Sequence, residues 1–107
     1  MNDKIYRQKG GGILPTYLVL STLTDKGMDT LKNDPERIKE VNKELEDMGA
    51  EVVGQYALFG RFDFVNILKV PDPETMARIS AEMGSRGTLR LQSYQAIYVK
   101  KKKKSMK

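Results

Sequence analysis

Leu58-Phe59-Gly60-Arg61-Phe62-Asp63-Phe64-Val65 is the stretch on which the fold of this chain turns. Two apolar runs, Glu51 to Phe59 and Phe62 to Val70, meet across Gly60-Arg61, and glycine in the first central position of a two-residue loop is the preference of a type II′ hairpin. That turn sets Phe59 opposite Phe62, Leu58 opposite Asp63, Ala57 opposite Phe64 and Tyr56 opposite Val65. Opposite residues share a face, so Val53, Ala57, Phe59, Phe62, Phe64 and Leu68 fall on one side and Val52, Tyr56, Leu58, Asp63, Val65 and Ile67 on the other. Both sides are largely apolar and both need cover. Gln55 and Asn66 sit awkwardly on the first side, and a slip of one residue would exchange the two faces.

Upstream, Thr16 to Leu23 follows Pro15 as a β-branched, aromatic and aliphatic run, which predicts a buried strand. Thr24 or Asp25 then caps a short helical turn through Leu31. Asn33-Asp34-Pro35-Glu36 predicts a helix start, with Asp34 as the capping side chain, proline in the first turn and acids at the positive end of the helix. Ile38, Val41, Leu45 and Met48 form one apolar stripe that packs on a sheet, and Gly49 closes the helix. Downstream, Pro71-Asp72-Pro73-Glu74 opens a second helix carrying Met76, Ile79, Ala81 and Met83 to Gly84, and Leu89 to Val99 reads as a last strand.

The order βαββαβ, two strand-helix-strand units joined by a hairpin, predicts a ferredoxin-like α+β fold: an antiparallel four-stranded sheet with two helices on one face. The other face, with Tyr56, Leu58, Val65 and Ile67, is too apolar to stay bare, so a homodimer is expected in which two sheets enclose a small cavity, a dimeric α/β barrel. The domain is expected over residues 13–99. Residues 1–12, ending in Gly10-Gly11-Gly12, read as a flexible leader, and residues 100–107 as a basic disordered tail.

Composition narrows the chemistry. With no cysteine and no histidine in 107 residues, disulfides, thiolate or histidine metal sites, histidine-bound haem and Cys/His or Ser/His catalysis are closed to this chain, and no cofactor or metal is expected. Six of the 19 basic residues lie in residues 100–107; removing them leaves 13 bases against 14 acids, a net of −1, so the domain itself is not a nucleic-acid surface. No run approaches the roughly 18 apolar residues of a membrane span, and the amino terminus lacks signal-peptide order, so a cytoplasmic location is expected.

Pro15-Thr16-Tyr17-Leu18-Val19, Asp34-Pro35-Glu36-Arg37, Gly60-Arg61-Phe62-Asp63-Phe64-Val65 and Gly84-Ser85-Arg86-Gly87 together resemble the GYD domain family. The resemblance spans residues 15 to about 97 and implies a dimeric α/β barrel without implying a reaction. Phe62 stands where the family's naming motif has tyrosine, so no role for that hydroxyl carries over. The glycine-x-aromatic-aspartate hairpin is also similar, more distantly, to effector-binding domains of leucine-responsive-type regulators, which bind small molecules such as amino acids at subunit interfaces.

Asp63 is the leading candidate site residue. A carboxylate on an apolar face acts as a general base or binds an amine, because desolvation raises its pKa; the alternative is that it holds hairpin amides or pairs with Arg61. Arg61 offers a planar fork for an anion against a solvated hairpin tip, and Tyr17 and Tyr56 offer phenols to a cavity against amphipathic packing. Gly84-Ser85-Arg86-Gly87 follows a helix rather than preceding one and reads as a helix stop. The expected function is a small-molecule-binding or regulatory dimer, with Asp63, Tyr17, Tyr56 and Arg61 contacting a small organic ligand. The alternatives are a cofactor-independent oxygenase, isomerase or decarboxylase with Asp63 as base, and an interaction module docking its Lys100–Lys104 tail on an acidic partner.

Overall fold

The computed structural model of the chain describes residues 14–97 and 99. Its elements are β1 (Thr16–Leu23), α1 (Asp25–Asn33), α2 (Arg37–Asp47), β2 (Glu51–Ala57), β3 (Phe64–Lys69), α3 (Pro73–Ser85) and β4 (Leu89–Ala96). The strands form one antiparallel sheet in the order β2-β3-β1-β4, the ferredoxin-like order expected from the sequence. The leader and the lysine tail fall outside the described residues.

Alternation along β1 assigns the faces. Tyr17, Val19 and Ser21 are buried, whereas Leu18 and Leu20 between them are only half-buried. Across the sheet, Tyr17 is opposite Leu68 and Val19 is opposite Asn66 and Ser93. Leu45 from α2 and Met76, Ile79 and Met83 from α3 complete one core with Tyr17, Val19 and Leu68. Leu68 and Val70 are 1% and 0% exposed, so each contributes about 1.5–3 kcal/mol of burial.

Three local signals act as read. Asp72 caps α3, its carboxylate accepting from the Thr75 amide, with Pro73 next in line. Gly49 ends α2 at φ +103°, a conformation that a Cβ would strain. The Thr24 hydroxyl accepts from Gly27 N–H and caps α1, which runs to Asn33 rather than stopping near Leu31.

The hairpin departs from its expected form. The pairings Ala57–Phe64, Tyr56–Val65 and Gln55–Asn66 are present, but the strands end at Ala57 and restart at Phe64, leaving Leu58 through Asp63 as the connection. Gly60 does not adopt positive φ, so the turn is not type II′. Phe59, expected to face the helices, is fully exposed at the tip. A bulge between Val52 and Gly54 shifts the register, setting Val52 opposite Leu68 and Gly54 opposite Ile67. Val52 therefore joins the helix-covered face and packs against the core, the reverse of the alternation count, because a bulge inserts a residue and inverts everything before it.

The α2 start also differs. Its cap position is Glu36 with no side-chain hydrogen bond, and Asp34 supplies only its carbonyl, to Arg37 N–H at 3.0 Å. Pro35 and Glu36 form a turn ahead of the helix, which moves Asp34 out of capping range.

Candidate functional site

A cavity of about 410 Å³ lies on the helix side of the sheet, between α1, α2 and the end of α3. Its existence follows from how α2 is seated. Leu45, in the carboxyl-terminal half of the helix, is 4% exposed, while Val41 and Ile38, one and two turns earlier, are only half-buried. The stripe leans on the sheet at one end and stands off at the other, and Leu31, Ile38, Val41 and Phe64 face the resulting space.

One wall of the cavity is polar and hydrogen-bonded within itself, with the Asn66 Nδ2 group left over. Asn42 of α2 and Gln55 of β2 exchange two amide hydrogen bonds at 3.0 Å, and Gln55 Nε2 also donates to Asn66 Oδ1 at 2.7 Å. Gln55 and Asn66 are cross-strand partners, so the ladder register brings their amides together and Asn42 reaches down to close the group. This explains the pair that fitted the apolar face so poorly: it is the sheet's half of a three-amide cluster.

The rim is charged. Arg86, the residue that ends α3, donates to Glu44 of α2 at 2.6 Å and to Glu82 at 3.1 Å. Arg37 pairs with Glu40 at 2.9 Å and reaches Glu44 at 3.5 Å. The Arg86 hydrogen bond, assisted by both guanidinium charges, holds the Glu44 carboxyl below its ordinary value, and the same bond raises the Arg86 pKa. Lys26 of α1 completes the cations, its Nζ 3.4 Å from the Arg86 carbonyl oxygen. The loop Gly84-Ser85-Arg86-Gly87 does stop a helix, with Gly87 at φ +76°, and it also supplies this rim cation.

None of the four site candidates from the sequence lines this cavity. Asp63 Oδ2 accepts from Leu23 N–H at 2.8 Å, while Asp63 N–H donates to the Ser21 carbonyl and its own carbonyl accepts from Leu58 N–H, each at 2.8 Å. Asp63 thus pins the hairpin connection to the end of β1. Tyr17 is in the core, 8% exposed. Arg61 lies at the hairpin tip with its guanidinium 5.7 Å from the Phe62 ring centre, a cation–π pair. Tyr56 is exposed on the opposite face of the sheet.

That opposite face carries no helix. Ile67, Leu18 and Tyr94 form one cross-strand row, and Tyr56, Val65, Leu20 and Gln92 the next. Six apolar or aromatic side chains therefore lie side by side, with Tyr56 and Tyr94 more than half exposed. Among the described residues, no helix is long and apolar enough to cross a membrane, and no three acidic side chains converge as a cation site requires.

The sheet order, the one-sided helices and the bare apolar face define a ferredoxin-like α+β domain. The chain belongs to the GYD domain family, whose model matches residues 17–106. It is 52% identical over 87 residues, 80% of this chain and 92% of the relative, to a Thermus thermophilus protein named "Glutamine synthetase and cystathionine beta-lyase binding protein". No solved structure matches the chain.

Proposed function

We propose that this chain is a regulatory binding protein that acts as a self-associated pair and docks onto a metabolic enzyme, with glutamine synthetase and cystathionine beta-lyase as the first enzymes to test. The observation that carries this reading is the 52% identity across 92% of a relative whose name states that it binds those two enzymes. The uncovered face supports the pairing. Two sheets stacked about 10 Å apart would bury Leu18, Leu20, Val65 and Ile67 in both copies, and a soluble protein rarely leaves such a patch in water. A face-to-face pair of this kind is the dimeric α/β barrel, with Tyr56 at its contact.

The hairpin tip is the natural docking element for the enzyme. Phe59 is wholly in solvent and Arg61 is adjacent, and exposed aromatic and arginine side chains are the types that dominate protein interfaces. Asp63 holds that tip against β1, so it supports recognition without touching the partner. Co-elution of the purified chain with each enzyme on a sizing column tests the reading. Co-elution lost on Phe59→Ala, with the chain's own elution unchanged, is expected; a folded chain that co-elutes with neither enzyme refutes it.

A further inference from the structure

The helix-side cavity has a chemistry specific enough to name the class of molecule it takes. We propose that it binds a small amphipathic carboxylate, with the carboxylate on Lys26 and the apolar body between α1 and α2. The cavity volume of about 410 Å³ falls in the range of small-molecule sites, roughly 300–1,000 Å³. Its lining includes three cations, Lys26, Arg37 and Arg86, and no acid, which favours an anion over a cation. Arg37 and Arg86 are already engaged by Glu44. Lys26 is not: among the described residues no carboxylate pairs with its ammonium group, whose one hydrogen bond is the long contact to the Arg86 carbonyl.

The remaining lining separates an amphipathic acid from a phosphate or a sugar. Leu31, Ile38, Val41 and Met83 offer hydrocarbon to the ligand body, and a fully polar molecule would strip water from itself there without compensation. One polar anchor remains on the far wall. Asn66 accepts from Gln55 at Oδ1, and its Nδ2 hydrogens have no acceptor among the described residues, so a ligand hydroxyl or carbonyl oxygen can take them. Charge at the mouth, hydrocarbon along the sides and one amide donor on the wall describe an acid of about amino-acid to phenylpropionate size.

The test is a titration of the full-length, ¹⁵N-labelled chain with 3-phenylpropionate and, separately, with the neutral 3-phenyl-1-propanol, read at the side-chain amide resonances of Asn42, Gln55 and Asn66. Saturable shifts at these three amides with the acid are expected, with the alcohol weaker by about tenfold, the worth of one charge-assisted hydrogen bond. Lys26→Gln, at an exposed position that leaves the core untouched, is expected to remove that difference by weakening the acid alone. Three results would each overturn the proposal: no saturable shift at the amides, an alcohol that binds as tightly as the acid, or Lys26→Gln binding the acid as well as the parent chain does.

Discussion

Replacing Gly27 with alanine sets two physical effects against each other. Gly27 lies in the first turn of α1, where alanine is a better helix former by about 1 kcal/mol, so propensity alone makes the substitution stabilising. The packing says the opposite. A Cβ on Gly27 would overlap the Thr88 carbonyl oxygen and would lie 3.0 Å from its carbon and 3.1 Å from Leu23 Cδ2. Those carbonyl atoms are backbone and cannot swing aside, and the oxygen is fixed because it accepts from Thr24 N–H at 3.0 Å. Relief therefore requires α1 to lift from the β4 approach, breaking that bond. Overpacking against a fixed group costs about 1–3 kcal/mol and a lost backbone hydrogen bond about 1 more, so the clash exceeds the propensity gain of about 1 and a net loss of about 1–3 kcal/mol is expected. In a domain of this size that is a fall in Tm of roughly 4–24 °C. Gly84 supplies the control, since it is helical, lacks positive φ and has nothing near its missing Cβ; Gly84→Ala is expected to gain roughly 0.5–1 kcal/mol. Urea denaturation of both variants reads the difference. A Gly27→Ala protein at least as stable as the parent would refute the close approach of α1 to the β4 end of the sheet.

Asp63→Ala removes the acceptor for the Leu23 amide and is expected to cost about 1–2 kcal/mol in denaturant titration, with Asp63→Asn recovering part because its carbonyl oxygen still accepts; equal stability of all three would show that the pin is idle. Stability is expected to fall on the acid side. Glu44 and Asp72 both have lowered folded pKa values, Glu44 chiefly through the Arg86 hydrogen bond and Asp72 chiefly through the Thr75 hydroxyl, so their contribution is complete above the ordinary carboxylate range and lost as pH falls through the lowered values. Arg86→Ala should flatten part of that acid limb in melts taken across pH, and an unchanged limb would contradict the assignment. Leu20→Glu puts a charge in the centre of the bare face and is expected to leave a folded monomer by light scattering; a dimer that survives it uses another surface.

Much of the fold is written in local patterns that this chain states strongly. The β1 run after Pro15, the Asp72-Pro73 start of α3 and Gly49 at the end of α2 each act through a few neighbouring residues, so the sequence alone locates them. What could not be read is what depends on distant partners. The Val52–Gly54 bulge leaves no mark in the alternation because both Val52 and Val53 are apolar, yet it decides which of them meets the core. The connection at Gly60 has the residues of a tight turn, but Asp63 is drawn to Leu23 and Ser21 on β1, and that long-range pull opens the loop. The cavity had a legible clue in Gln55 and Asn66 facing each other on an apolar side. Its third member, Asn42, is adjacent to Val41 in the helix stripe and looks like any solvated helix residue until α2 is laid over the sheet.

The proposed recognition of an enzyme is tested most directly by binding of the purified chain to immobilised glutamine synthetase, followed by biolayer interferometry with the Phe59→Ala variant alongside. Saturable binding that weakens by at least about tenfold in the variant, the loss typical of one exposed aromatic anchor, is the expected result. Binding that Phe59→Ala leaves untouched would move the contact away from the hairpin tip, and no binding to glutamine synthetase or to cystathionine beta-lyase by a folded chain would contradict the account.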